Sequence, residues 1–196
     1  MNRIKEVISN SISVKQAVLA DETLLNTVEQ VANIITEAFR NDKKVLFCGN
    51  GGSAADAQHL AAEFSGRFYF DRDPLFSEAL HVNTSYLTAV ANDYSYEQVY
   101  SRLIKAKGRQ GDVLVGLSTS GNSLNVVRAF EQGKENGMTI VAMTGLGGGK
   151  MKDSADFLID IPSKDTPRIQ ECHMMLGHII CELVEAALFQ REVVEG

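Results

Sequence analysis

Tryptophan is absent from this sequence of 196 residues, and proline and cysteine are rare, with three of each. The cysteines, Cys48, Cys172 and Cys181, are odd in number and form no Cys-x-x-Cys pair, which argues against a disulfide framework and a thiolate zinc knuckle. No apolar run approaches the roughly 20 residues that cross a bilayer, and residues 1–6 lack the apolar core of a signal peptide. These absences predict a cytoplasmic protein without a membrane partner.

Positive charge is also scarce. The 19 Lys and Arg residues are outnumbered by 25 Asp and Glu residues, so the formal net charge is −6 with neutral histidines, and no basic run offsets it. Nucleic acids and anionic lipid surfaces are bound through clustered Lys and Arg, so neither is predicted as a partner. A composition of 44% hydrophobic and 22% charged residues is that of a globular chain with a packed core, and the length suits one domain.

Helices are predicted at both ends of the chain. Apolar residues recur at helical spacing through residues 4–35, and Asp21 divides this region into two amphipathic helices as the expected N-cap of the second. Near the other end, Thr166 as N-cap and Pro167 as the first helical residue predict a last helix that reaches about Phe189.

The middle of the chain alternates strand and helix patterns. Apolar runs at 45–48 and 113–117 each lead into a loop rich in Gly or Ser and then into a helical pattern. Runs at 139–143 and 157–161 are further strand candidates, and 79–82 is a weaker one. Strands that alternate with helices pair in parallel through right-handed crossovers. The sequence therefore predicts an α/β three-layer sandwich with a mainly parallel five-stranded sheet, two N-terminal helices and a long C-terminal helix.

The loop after the strand at 113–117 carries four hydroxyl groups within six residues. They belong to Ser118, Thr119, Ser120 and Ser123. In an open α/β sheet, ligands bind beyond the carboxyl ends of the strands, where loop amides and helix N-termini carry partial positive charge. Ser and Thr are also good turn and cap residues, but four of them around one glycine favour a phosphate-binding loop.

The first glycine-rich loop has a different pattern. Residues 49–54 match G-x-G-x-x-A, which occurs in dinucleotide sites. The usual acidic partner lies about 20 residues on, at a strand end, and here that position is Asp71, in a short charged segment typical of a loop. Residues 145–150 do not match the P-loop pattern either, because one residue is missing between the end glycines and Met151 replaces the Ser or Thr that holds magnesium.

The helix after the first loop carries a pair of metal-ligand residue types. His59 and Glu63 are four residues apart, so their Cβ atoms lie about 6 Å apart on one helical face and the side chains could share an ion. An ordinary surface pair has the same spacing. The last helix adds polar residues within an apolar stretch: Gln170, Glu171, His173 and His178. Either histidine could equally be a core residue, and imidazole with carboxylate suits zinc and other divalent metals alike.

Together these motifs resemble the phosphoheptose isomerase family, which has the sugar isomerase (SIS) fold. The resemblance spans nearly the whole chain and is carried by these segments: 48–59 with Glu63, 65–67, 92–93, 117–123, and 168–173 with His178. It implies a single SIS domain over 1–196, with a helical pair at 1–41 used in oligomerisation, and a cytoplasmic homotetramer. It also implies a ketose–aldose isomerase that converts sedoheptulose 7-phosphate to D-glycero-D-manno-heptose 7-phosphate, towards nucleotide-activated heptose for surface glycans.

The resemblance further implies a set of site residues. The family's zinc ligands, for one ion per subunit, fall on His59, Glu63, Gln170 and His178. Its substrate contacts fall on both loops, on an Asn-Asp pair and on part of the ligand set: Asn50, Gly51, Gly52, Ser53, Glu63, Asn92, Asp93, Ser118, Thr119, Ser120, Ser123, Gln170 and His178. Pro167 stands where some members have an Asp, so no catalytic carboxylate is implied there.

The reaction moves a carbonyl from C2 to C1, which requires removal of a proton from carbon and stabilisation of an enediolate. We therefore expect Glu63 and His178 to be the acid/base pair, with either order of roles. Gln170 and His178 are eight residues apart, about 12 Å along one helix, so it is difficult for both to reach one ion. A site at a subunit interface, with ligands from more than one chain, is predicted.

A non-catalytic relative gives the alternative function. The SIS fold also includes a regulator of replication initiation that binds a protein partner instead of turning over a sugar. The residue that separates the two functions is the metal-site glutamate, which that regulator lacks. Glu63 is present here together with a full set of ligand-type residues, and this favours the enzyme.

Overall fold

The computed structural model describes residues 2–189, and within this range seven α-helices surround one five-stranded sheet. The elements are, in chain order, α1 (Asn2–Leu19), α2 (Glu22–Arg40), β1 (Val45–Gly49), α3 (Gly52–Ser65), β2 (Ser77–Ala79), α4 (Thr84–Asp93), α5 (Val99–Lys107), β3 (Val113–Ser118), α6 (Leu124–Glu135), β4 (Thr139–Gly145), β5 (Phe157–Ile161) and α7 (Thr166–Leu188). Met1 and residues 190–196 of the predicted 1–196 domain lie outside the described residues.

All five strands are parallel, in the spatial order β2-β1-β3-β4-β5. This confirms the predicted α/β architecture. The edge strand β2 lies two residues earlier than the predicted run at 79–82, because Val45 and Phe47 of β1 pair with Ser77 and Ala79 and the chain turns at Leu80.

Alternate residues of the strands face two apolar cores, one on each side of the sheet. Val45 and Phe47 of β1 pack with α2, α3 and α7, whereas Leu46 and Cys48 pack with α5 and α6 on the opposite face. Helices on both faces account for the continuous burial of the central strands. The candidate metal ligands therefore belong to the α2–α3–α7 layer, and the helix that follows the serine loop belongs to the other.

The helix termini partly follow the predictions. The Asp21 side chain accepts a hydrogen bond from Leu24 N at 3.0 Å, which confirms this residue as the N-cap of α2. The prediction of Thr166 as the N-cap of α7 is wrong by one residue. Asp165 has the extended backbone of the cap, with φ −87° and ψ 109°, and Thr166 is already helical. Pro167 remains in the first turn, where its missing N–H costs no helical hydrogen bond.

The helices α4 and α5 were not predicted from the sequence. Only Val90 is buried in α4, so this helix has almost no apolar periodicity to detect.

Among residues 2–189, no helix combines the length and the apolar character needed to cross a membrane.

Candidate active site and metal centre

The two ligand loops lie side by side at the carboxyl edge of the sheet. β1 and β3 are paired up to Gly49 and Leu117, so the first loop (residues 49–53) and the serine loop (residues 118–123) leave neighbouring strands together. α3 begins at Gly52, within the first loop, and α6 begins directly after the serine loop, so both helix N-termini lie at this edge. Backbone N–H groups at two adjacent helix N-termini can bind an anion such as a phosphate.

A pair of side-chain amides joins the two loops. Asn50 Nδ2 donates to Asn125 Oδ1 at 2.9 Å, and Asn125 Nδ2 donates to Asn50 Oδ1 at 2.9 Å. The Tyr96 hydroxyl donates to Asn50 Oδ1 at 3.0 Å, and the buried Tyr100 hydroxyl donates to the carbonyl of Gly49. The first loop is thus held against the first turn of α6. Sequence reasoning missed Asn125, since its partner lies 75 positions away.

The serine loop is a compact polar turn. Ser118 Oγ lies 2.8 Å from Ser123 Oγ and 3.5 Å from Ser120 Oγ. Ser118 is buried, Thr119 and Ser123 are half-buried, and Ser120 is exposed. The three serine hydroxyls therefore lie close together, and the side chains range from buried to exposed. Such an arrangement can surround the oxygens of a phosphate group.

The glycine-rich segment 145–150 packs against the serine loop. Gly121 has φ 64°, and a Cβ at this position would collide with the backbone carbonyl of Gly148. The backbone N–H of Gly145 donates to Thr119 O at 3.1 Å, and that of Met151 donates to Gly121 O at 2.9 Å. This segment, which does not fit the P-loop pattern, therefore packs against the candidate phosphate loop and stabilises it.

His59, Glu63 and His178 form a cluster whose ligand atoms all lie within 4.8 Å of one another. His59 Nε2 is 2.8 Å from Glu63 Oε1 and 3.3 Å from His178 Nε2. Two imidazole nitrogens and a carboxylate oxygen are a donor set that zinc and other divalent metals accept. The His59 side chain is 51% exposed, so an ion can enter from solvent. The residues present therefore fit a divalent metal.

A close approach of two helices brings His178 to the cluster. A Cβ on Gly177 of α7 would lie 2.6 Å from the Leu60 side chain of α3, so the two helices meet here at a distance that suits glycine. Gly177 and Leu60 are the chain neighbours of His178 and His59, respectively. The glycine thus lets the two histidines face each other across the helix pair.

Gln170 lies on α7, near its start, and contacts α3 away from the metal cluster. Its amide group occupies the space that a Cβ on Gly52 would need, at the start of α3. His59 is seven residues further along α3, about 10 Å, so Gln170 and the cluster are separated by about two helical turns within one chain. This separation agrees with the expectation that Gln170 and His178 do not reach one ion from the same helix.

The other two polar residues of the α7 set have structural contacts. His173 is fully buried, and its Nε2 donates to Thr144 O at 3.0 Å, since a carbonyl oxygen can only accept. Burial lowers the pKa of His173 to about 4, so this side chain is a neutral core histidine. Glu171 accepts a hydrogen bond from Ser11 at 2.6 Å and pairs with Arg168, which ties α7 to α1.

Asn92 and Asp93 lie exposed at the C-terminal end of α4, and the Asn92 amide donates to Asp93 Oδ1 at 2.9 Å. Within residues 2–189, neither side chain hydrogen-bonds to the two loops.

Residues 66–76 contain no helix or strand, which confirms the loop predicted around Asp71 and removes the strand end that a dinucleotide site needs.

The comparisons with known proteins begin with a family model. The model described as "SIS domain" matches residues 10–145, a range that includes both loops, His59 and Glu63 and ends before α7. The fold and the loops thus define a SIS-domain protein.

Individual relatives cover nearly the whole chain. The phosphoheptose isomerase of Aneurinibacillus thermoaerophilus is 55% identical over 191 residues, which are 97% of this chain and 96% of that protein. The solved phosphoheptose isomerase of Neisseria gonorrhoeae has a TM-score of 0.88 at 42% identity and covers 94% of this chain and 98% of its own. That of Francisella tularensis has a TM-score of 0.90 at 31% identity, with 93% and 96% covered. Within the SIS-domain proteins, this chain belongs to the phosphoheptose isomerase family.

Proposed function

We propose that the protein is a metal-dependent ketose–aldose isomerase that converts sedoheptulose 7-phosphate to D-glycero-D-manno-heptose 7-phosphate, towards nucleotide-activated heptose for surface glycans. The observation that carries the proposal is the cluster of His59, Glu63 and His178, with ligand atoms within 4.8 Å of one another. Identity of 55% to a phosphoheptose isomerase over nearly the whole chain supports the same reaction.

Glu63 and His178 are the proposed acid/base pair. Isomerisation transfers a proton between C1 and C2 through an enediolate, and a positioned pair of titratable side chains accelerates this step. The two residues converge from α3 and α7, and the contact of Glu63 with His59 at 2.8 Å fixes the carboxylate before substrate binds. A bound divalent ion would add polarisation of the carbonyl and hydroxyl oxygens.

The proposed substrate contacts extend from the metal cluster to the loops. The serine loop binds the phosphate through the hydroxyls of Ser118, Thr119, Ser120 and Ser123, and the first loop contributes the segment from Asn50 to Ser53. Asn92 and Asp93 bind sugar hydroxyls. The convergence of the serine hydroxyls, as in the 2.8 Å contact of Ser118 with Ser123, supports this assignment.

We propose zinc, one ion per subunit, as the metal, with Gln170 as the fourth ligand. Because His59, Glu63 and His178 meet within one chain whereas Gln170 lies at Gly52, the residue supplied by a second chain is Gln170. Mixing a Gln170→Ala protein with a His178→Ala protein should then restore activity in exchanged oligomers. Mixing His59→Ala with His178→Ala should restore none, because those ligands share a chain. Equal results for the two mixtures would contradict a shared site.

The N-terminal helical pair is the proposed oligomer interface, in a cytoplasmic homotetramer with a single SIS domain per chain. Ile4, Ile8 and Ile12 stand 66%, 54% and 50% exposed at four-residue spacing on one face of α1. Such an apolar stripe marks a contact surface. Light scattering should give four times the mass of the chain, and a monomeric mass would contradict the interface.

The decisive experiment is incubation of the purified protein with sedoheptulose 7-phosphate, with and without a chelator, with aldose formation followed by NMR. Product that disappears on chelation and returns with zinc supports both the reaction and the metal. No product in the presence of zinc would favour the non-catalytic regulator. That alternative is not favoured now, because full-length relatives are phosphoheptose isomerases and Glu63 stands in the cluster.

A further inference from the structure

A buried ion pair lies behind the metal cluster, outside the set of residues assigned to substrate or metal. Arg72 Nε and Glu185 Oε1 are 2.7 Å apart, and the two side chains are 2% and 1% exposed. Removing two charges from water is costly unless further hydrogen bonds satisfy both groups. The partners of this pair therefore indicate what it holds in place.

The Glu185 carboxylate binds three successive backbone N–H groups. Oε1 accepts from Phe68 N at 3.0 Å, and Oε2 accepts from Tyr69 N at 2.6 Å and Phe70 N at 3.1 Å. Burial alone would raise the pKa of Glu185, but these hydrogen bonds and Arg72 outweigh it and hold the pKa below its ordinary value. The loop after α3 is thus wrapped around an ionised carboxylate of α7.

Arg72 extends the same network to the end of α3. Its Nη2 donates to Glu63 O at 2.9 Å, and its Nη1 donates to Phe64 O at 3.0 Å and Gly66 O at 3.3 Å. The last carbonyls of a helix have no helical partner, so a cation there is favourable. The backbone of Glu63 is fixed by this guanidinium.

The loop that Glu185 holds also contacts the second histidine. The Phe68 ring packs against the His178 ring with a centroid distance of 5.7 Å and an interplanar angle of 33°. One ion pair therefore restrains the backbone of Glu63 and the face of His178, two members of the metal cluster that belong to different helices.

We propose that Arg72 and Glu185 are positioning residues for the metal cluster, which hold Glu63 through its backbone and His178 through Phe68. This inference rests on the proposed metal-dependent isomerase. Both side chains are almost completely buried, so their removal should change the geometry of the cluster more than the binding of the sugar phosphate.

A second ion pair offers a matched control for stability. Lys44 Nζ and Asp112 Oδ2 are 2.6 Å apart, with side chains 15% and 1% exposed. Asp112 also accepts backbone N–H groups, from Lys44 at 3.1 Å and from Arg109 at 2.8 Å. The chemistry resembles that of Arg72 and Glu185, but these residues precede β1 and β3 and lie at the amino edge of the sheet.

The test compares Glu185→Gln with Asp112→Asn in the full-length protein, below the melting temperature of both. Each variant replaces one carboxylate oxygen with an NH₂ group that faces N–H donors. Zinc affinity is measured by competition with a chromophoric chelator, and kcat and KM are measured with sedoheptulose 7-phosphate. Glu185→Gln should weaken zinc binding and lower kcat by at least about tenfold with little change in KM, as is typical when the supporting contacts of metal ligands are lost.

Asp112→Asn should lower the melting temperature to a similar extent while zinc affinity and kcat stay within about twofold of wild type. The inference is overturned if both variants keep wild-type zinc affinity and kcat, or lose them equally. Phe68→Leu is the second variant, since Phe68 is only half-buried and should fold if Glu185→Gln does not. It should change kcat and zinc affinity in the same direction as Glu185→Gln.

A readout without metal or substrate separates this inference from the proposed function. In the metal-free protein, the ring NMR signals of His178 should shift in Glu185→Gln and Phe68→Leu and stay unchanged in Asp112→Asn. Wild-type protein without isomerase activity would contradict the proposed function, while those shifts would still support the positioning role. Unchanged His178 signals in both variants would contradict the positioning role even in an active enzyme.

Discussion

The two edges of the parallel sheet use polar side chains in different ways. At the amino edge, Asp112 is 1% exposed and its oxygens are engaged by Lys44 and by backbone N–H groups. At the carboxyl edge, Ser120 is exposed on its loop, and His59, on the helix that starts from this edge, is 51% exposed. The amino edge therefore contributes to stability, and the carboxyl edge keeps polar groups available for a ligand. Substitutions at the two edges should separate in assays of stability and of turnover.

The largest difference between loss of turnover and loss of stability is expected from Glu63→Gln. This change removes the proposed acid/base carboxylate and one metal ligand, so kcat/KM should fall by at least about a thousandfold. Gln has nearly the same shape and volume as Glu, and the side chain is partly exposed at 22%, so the melting temperature should change little. The matched control is Glu182→Gln, an exposed carboxylate on α7, which should keep its activity. Near-normal turnover in Glu63→Gln would remove the catalytic assignment.

His173 lies near the carboxyl edge, where it contacts Thr144, but we expect this residue to contribute to stability. Its pKa falls from 6.5 to about 4 on burial, so the unfolded chain binds the additional proton between these values. The stabilising contribution is complete above about pH 6.5 and declines as the pH falls towards 4, by up to roughly 3 kcal/mol. The measurement is the difference in unfolding free energy between wild type and His173→Gln, which should shrink over this pH range. A constant difference would show that His173 is not buried in its neutral form.

Gly121→Ala should affect the carboxyl edge without touching a proposed ligand. A Cβ at Gly121 would meet the carbonyl of Gly148, so the serine loop must shift, and KM should rise by about tenfold to a hundredfold. Gly147→Ala is the control, because Gly147 also has positive φ, 88°, but has open space around its Cβ. Both variants carry backbone strain, so only the difference in KM reports the displaced loop. Equal KM values would argue against phosphate binding by the serine loop.

The features that were predicted from the sequence are local in the chain. The two loops, the cap at Asp21, and the pair of His59 and Glu63 each depend on residues within about one or two turns of one another. Contacts of this kind follow from periodicity and turn chemistry. Thr166 shows the limit of such reasoning, since either of two neighbouring residues can cap a helix and only the backbone conformation at Asp165 decides.

The features that could not be predicted join distant parts of the chain. His178 meets His59 across 119 positions, and Arg72 meets Glu185 across 113. Spacing within one segment says nothing about such pairs. It left His173 and His178 equally open as core residues or ligands, and only the family resemblance selected His178. One signal for Glu185 was present, since it is a charged residue next to the buried Val184 and four positions after the buried Cys181. A glutamate on the apolar face of a helix requires a buried partner.

The ring contact between Phe68 and His178 has an optical consequence, because the chain contains no tryptophan. Phe68→Trp would place the protein's single indole fluorophore against an imidazole of the proposed metal cluster. Its emission would respond to the charge and occupancy of that imidazole, while the five tyrosines emit at shorter wavelength. Metal loading and substrate entry could then be followed as fluorescence transients in a stopped-flow instrument, with no attached dye and no coupling enzyme.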